Sequence, residues 1–205
     1  MSSDQIQPKA SEQRIFATVV GGTVVMGIAA IVLGWLIGTP IASQLSPSID
    51  AVLVGVIATL PLALFLWWFS NTQNPTLAAF RDSQIKFFAE IGFEFTLPRI
   101  IVMAIVAGVA EEFLFRGVLQ SWINGFAPVA VALIASNIIF GLLHMRTMLY
   151  AVIAGLVGVY LGVVYVYTDS LLAPVITHGL YDYVALIYTK RAIDAYRRDS
   201  ALANS

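Results

Sequence analysis

Two adjacent carboxylates, Glu111 and Glu112, followed by Arg116, stand in an apolar run from Ile100 to Leu119. The only two histidines of the chain, His144 and His178, stand in two further apolar runs, and Asp182 follows His178 by four residues. Ionisable groups at membrane depth cost about 2.5–3.5 kcal/mol each on insertion scales, so such a set marks a functional site by default. On a helix Glu112 and Arg116 are an i, i+4 pair with the acid N-terminal to the base, the favourable order, and they can neutralise one another. Glu111 then points about 100° away around the helix. A carboxylate left without a partner in a low-dielectric site is the kind of group that accepts and returns a proton near neutral pH. Helix packing is enough to explain Glu112 and Arg116, but it does not explain a second acid.

Asn137, Phe140 and His144 recur at helical spacing along one stripe, and His178 and Asp182 share a face in the same way. A carboxylate beside an imidazole fixes its tautomer and raises its basicity. Either histidine alone reads as hydrogen-bonded structure. Together, opposite a glutamate pair, they read as a site, because polar faces of membrane helices converge in the bundle interior.

Two chemistries fit these side chains. In one, Glu111 and His144 hold and deprotonate a water for attack on a carbonyl, while His178 and Asp182 donate hydrogen bonds to the developing oxyanion. In the other, some of Glu111, His144 and His178 ligate one divalent metal such as zinc, which activates the water. Neither His-Glu-x-x-His nor Glu-x-x-His occurs, so the usual helix-borne metal spacings are absent. Gly-x-Ser-x-Gly is also absent, and no cysteine exists to act as a nucleophile or to form a disulfide. Water attack is the route the residues favour.

The elements that must position these groups follow from composition. Of 205 residues, 59% are hydrophobic and 11% charged, against about a quarter charged in soluble domains. An all-α, polytopic membrane helix bundle is expected. The net charge of -1 and the lack of a basic stripe exclude nucleic acid as a partner. A spanning helix needs roughly 20 apolar residues, which places about six spans near Ile15–Gly38, Ala51–Ser70, Leu97–Trp122, Pro128–His144, Met148–Thr168 and Leu172–Thr189. Between Thr76 and Phe95 an amphipathic segment has the mixed character of an interfacial helix, either a plain connector or a substrate gate. The division expected is a polar extension over 1–14, a membrane domain over 15–190 with its motifs within 97–188, and a basic tail over 191–205. Both ends are expected to fray.

Lys and Arg fall before the first span, between the second and third, after the fourth and after the sixth; the alternate connections carry none. By the positive-inside rule both termini are cytoplasmic. At about 1.5 Å per residue, Glu111, His178 and Asp182 come near the bilayer midplane while His144 falls near the cytoplasmic end, a scatter of about 10 Å. Tilted helices or a break at Gly108 would close it.

Glu111-Glu112-x-x-x-Arg116, Phe140-x-x-x-His144 and His178-x-x-x-Asp182 occur in that order on successive helices. The set resembles the CAAX protease and bacteriocin-processing family of intramembrane endopeptidases, also called abortive-infection or type II CAAX prenyl endopeptidase proteins. The resemblance covers about Leu97 to Tyr188. It implies that Glu111 and His144 activate the water, that His178 and Asp182 form the oxyanion site, and that Glu112 and Arg116 organise the first motif. Family members often carry Asn at the last position; an acid there donates a hydrogen bond only when protonated, so Asp182 is read as an orienter of His178. The resemblance leaves metal use open.

The expectation is an endopeptidase acting on a membrane-associated protein or peptide, in a bacterial plasma or internal membrane. A non-catalytic adaptor or assembly factor that keeps the motifs as a polar scaffold is the alternative, and a small transporter is disfavoured because the polar residues cluster rather than trace a path. Oligomeric state is left open.

Overall fold

The computed structural model describes residues 9–203, which are almost entirely helical, with no strand among them. Helix α1 is Lys9–Leu36, α2 is the single turn Ile41–Gln44, α3 is Ile49–Asn71 and α4 is Pro75–Ala89. Then come α5 (Leu97–Glu112), a π-helical segment (Phe113–Gln120), α6 (Ser121–Asn124), α7 (Val129–Leu143), α8 (Met148–Thr168) and α9 (Leu172–Ala203). The first eight residues of the expected N-terminal extension lie outside the described residues.

Local signals set several boundaries. Ser48 and Thr147 cap α3 and α8 by accepting hydrogen bonds from the backbone N–H of Ala51 and Tyr150. Asn74 caps α4, with Pro75 at the first helical position where its missing N–H costs nothing. Asp169 ends α8 in the left-handed conformation, φ 47°. Three helices are long and apolar enough to cross a membrane, Ser11–Leu36, Ile49–Asn71 and Met148–Thr168, and Val129–Leu143 is apolar but shorter. The whole is a helical membrane bundle.

Helix α9 is the hub. Its most extensive contacts are with α5 and α3, and it also touches α4 and α8. Small residues permit the closest crossings, as expected where lipid supplies no hydrophobic drive between helices. A Cβ built on Gly108 of α5 would lie 2.8 Å from the backbone nitrogen of Gly179 in α9. Gly108 is thus a crossing point within a continuous helix, not the break that the depth argument invoked. It brings the backbones together one turn from Glu111 and directly beside His178.

Two expectations about ends are corrected. Helix α9 does not fray at Lys190 but continues to Ala203, because Ile193 is buried against Phe93, Phe95 and Ile100. Residues 9–14 are helical as well, and Glu12 accepts a hydrogen bond from Arg99 Nη1 at 3.1 Å. The expected third span is also not one regular helix. It changes from α to π geometry immediately after Glu112, and Ser121 Oγ donates to the Arg116 carbonyl five residues back at 2.9 Å. Wider turns of this kind recur at functional sites.

Candidate active site

The two glutamates are adjacent in sequence and opposite in environment. Glu112 faces the bundle interior, fully buried, and its Oε1 accepts from Arg116 Nη1 at 2.9 Å. Arg116 is also fully buried; its Nη2 donates to Asn137 Oδ1 at 3.1 Å and to the Gly158 carbonyl, and its guanidinium lies 5.1 Å from the centre of the Phe140 ring. Glu111, with its side chain 18% exposed, turns toward a cavity.

His178 is bound to the wrong glutamate for the simplest sequence reading. Its Nδ1 is 2.7 Å from Glu112 Oε1, so Glu112 is shared between Arg116 and His178 instead of being occupied by Arg116 alone. A carboxylate only accepts, so the ring presents Nδ1–H to Glu112 and turns Nε2 outward. There Nε2 lies 3.5 Å from Asp182 Oδ2 and 3.9 Å from Glu111 Oε2. The i, i+4 pairing of His178 with Asp182 exists, but the short contact that orients the ring comes from Glu112 on another helix.

His144 is the C-cap residue of α7, and its Nδ1 lies 2.8 Å from the Phe140 carbonyl oxygen. By the same logic Nδ1 carries the hydrogen and Nε2 is free to face Glu111 Oε2, 3.7 Å away. The imidazole packs on the Phe140 ring with centroids 4.4 Å apart. The gap in depth closes because α7 has 15 residues, about 22 Å of helix at 1.5 Å per residue, less than the roughly 30 Å of hydrocarbon. A helix this short does not reach across the whole hydrocarbon layer, so the depth counted from a full span does not apply to His144.

Two residues beyond, Arg146 donates to Gln84 Oε1 and Ser83 Oγ of α4, both at 3.2 Å, and lies 4.8 Å from the centre of the Phe87 ring. The amphipathic segment is therefore a helix tied to the His144 loop.

Glu111, His144, His178 and Asp182 line one cavity of about 420 Å³. Its other walls are largely apolar and aromatic, including Phe65 and Phe69 of α3, Phe80 and Phe88 of α4, and Tyr150 of α8, with Arg81 and Gln84 of α4 as polar members. Among the described residues no group of three His, Asp or Glu side chains is arranged to hold a metal ion. Of the candidate ligands, Glu111 Oε2 stands 3.7 Å from His144 Nε2 and 3.9 Å from His178 Nε2.

Residues 93–184 match the family profile described as type II CAAX prenyl endopeptidase Rce1-like. This segment is similar to the Rce1-like domains that the profile describes. The chain is also similar to the uncharacterized protein YpbD of Bacillus subtilis (strain 168), 33% identical over 92 residues that cover 43% of this chain and 44% of YpbD. The chain thus matches less than half the length of that relative. No solved structure matches it. The matched segment contains Glu111, Glu112, Arg116, His144, His178 and Asp182, whereas α1, α3 and α4, which supply much of the apolar wall, lie outside it.

Sequence reasoning passed over the π segment, the bond between Glu112 and His178, and the steric roles of Gly108 and Gly158. The glycines carry a signal, small residues in apolar helices, but which helix each admits is a tertiary matter. Phe140 was visible as a motif residue; that it packs against His144 and Arg116 at once was not.

Proposed function

We propose that this protein is an intramembrane endopeptidase that hydrolyses a peptide bond of a membrane-associated protein or peptide through water activated by Glu111 and His144. The observation that carries the reading is the convergence of Glu111 Oε2, His144 Nε2 and His178 Nε2, from three helices, on the wall of one largely apolar cavity. The match to the Rce1-like profile supports a protease.

Glu111 Oε2 and His144 Nε2 both accept hydrogen bonds and stand 3.7 Å apart. A water, with two O–H donors, satisfies both and is held for attack. As its oxygen bonds to the carbonyl carbon, one of its protons passes to Glu111. The carbonyl oxygen, now negative, lies toward His178, which in its imidazolium form donates from Nε2 while Nδ1–H stays on Glu112. Glu111 returns the proton to the amide nitrogen, the C–N bond breaks, and a carboxylic acid and an amine leave. Asp182 Oδ2 lies on the Nε2 side of His178, 3.5 Å away. No step is routed through a metal, since the side chains do not form a three-donor set.

The Lys and Arg distribution supports a multi-pass topology with both termini in the cytoplasm, in a bacterial plasma or internal membrane. On that orientation α4 covers the cavity from the cytoplasmic face.

The test uses the purified full chain in lipid nanodiscs with a library of quenched fluorogenic apolar peptides. Wild type is expected to cleave a subset, and Glu111→Ala and His144→Ala are expected to cleave none while remaining folded. Cleavage surviving in both variants sinks the reading. Chelation with 1,10-phenanthroline is expected to leave the wild-type rate unchanged, and loss of activity restored by added zinc would replace the metal-free route.

A further inference from the structure

We infer that Asn137 is a positioning residue for His178, acting through Arg116 and Glu112. The inference takes from the endopeptidase reading what His178 does, but how the ring is held follows from geometry alone. Asn137 is buried on α7, seven residues before His144. Its amide cannot be turned around, because Nδ2 donates to the Leu133 carbonyl at 2.8 Å and leaves Oδ1 to accept from Arg116 Nη2 at 3.1 Å. The same nitrogen donates to the Gly158 carbonyl of α8. One arm of the guanidinium is thus anchored to α7 and α8, and the other reaches Glu112 Oε1 at 2.9 Å. That oxygen also takes His178 Nδ1 at 2.7 Å. The linkage runs from α7 through the π segment and α5 to α9.

A guanidinium is planar and rigid, so fixing Nη2 at two points fixes where Nη1 aims. With Oδ1 removed, a buried N–H loses its partner, and the fork is free to rotate toward the other oxygen of Glu112. The carboxylate then turns, His178 loses its fixed Nδ1 contact, and Nε2 moves relative to the water site. Misplacement by about 1 Å at a reacting centre costs on the order of 10²-fold. A Cβ on Gly158 would meet Asn137 Oδ1, Phe140 Cδ1 at 3.0 Å and Arg116 Nη2 at 3.2 Å, so the linkage is closely packed against α8. His144 has no side-chain hydrogen bond in this linkage; its Nδ1 is held by the Phe140 carbonyl.

That difference supplies the test, because the chain contains two histidines and no more. In the full chain labelled with 15N-histidine in nanodiscs, Asn137→Ala is expected to shift the His178 Nδ1–H signal and speed its exchange with water, while the His144 signals stay in place. Asn137→Leu, of similar volume and also without Oδ1, is expected to give the same pattern, so the result does not depend on one variant folding. On the best-cleaved peptide of the library, kcat is expected to fall roughly 10- to 100-fold in Asn137→Ala, with KM within about twofold. Unchanged His178 signals in both variants, or equal movement of both histidines as a general loss of packing would produce, overturn the inference. Cleavage that survives Glu111→Ala and His144→Ala would overturn the endopeptidase reading instead, and would leave the effect on the His178 ring to be judged by its own spectrum.

Discussion

One cavity is built by two regions of this chain that contribute opposite things. Residues 93–184 supply its carboxylates and imidazoles, and these are held by neighbours from several helices: Arg116 and Glu112 have no solvent exposure, and three hydrogen bonds link Asn137 to His178. Helices α1, α3 and α4 supply apolar wall, and α4 contains no buried residue at all. It is tied down along its middle, by Arg81 Nη1 on the Ser70 carbonyl at 2.7 Å and by Arg146 on Gln84 and Ser83. The first region fixes atoms to fractions of an ångström; the second fixes only the shape and polarity of a space. The contrast puts the convergent carboxylates and imidazoles in the segment that matches the Rce1-like profile and leaves the preceding helices to shape the space beside them.

The largest expected effect tests the first half of that division. Glu111→Ala is expected to lower peptide cleavage by about 10²–10⁴-fold, the usual worth of a general base, with unchanged thermal unfolding. If it unfolds the protein instead, Glu111 is structural and the distinction between the two glutamates fails. Arg116→Met probes the neighbouring pair. Removing one partner of a buried ion pair strands the other, so it is expected to destabilise the fold by about 3–5 kcal/mol, read as loss of folded, monodisperse protein. Gly108→Ala should cost less, roughly 1–3 kcal/mol for an overpacked contact, together with a lower rate because α5 and α9 must separate beside His178. Phe80→Ala on α4 carries the smallest effect. It is expected to change KM among the library peptides by less than about tenfold and to leave kcat alone, because one apolar contact is worth about 1–3 kcal/mol in discrimination. A fall in kcat there would show that α4 takes part in positioning the reacting groups and would merge the two regions.

Much of the ionic site could be read before any coordinates. Depth makes charge conspicuous: in a chain this apolar, the six groups Glu111, Glu112, Arg116, His144, His178 and Asp182 stand out because each is costly where it lies. The pairing of Glu112 with Arg116 also followed from helical spacing, since the two are local neighbours. Local spacing failed where the partner came from another helix. It assigned His178 to Asp182, on its own helix, whereas the shorter contact is to Glu112 on α5. It also left His144 about 10 Å from the others, because a regular rise counted along an assumed full span says nothing of a helix that stops short.

The sequence by itself determined that the chain is a helical membrane bundle whose apolar helices carry only a few charged and imidazole groups. It does so because hydropathy and helical period are properties of consecutive residues, and the bilayer penalises every exception. Tertiary structure alone decided which of the two glutamates meets which histidine. That choice rests on two glycines that let α5 and α9 touch, on a π segment that turns Arg116 toward Asn137, and on the early end of α7. Each is a relation between helices, and the energy that selects it exists only once they have packed.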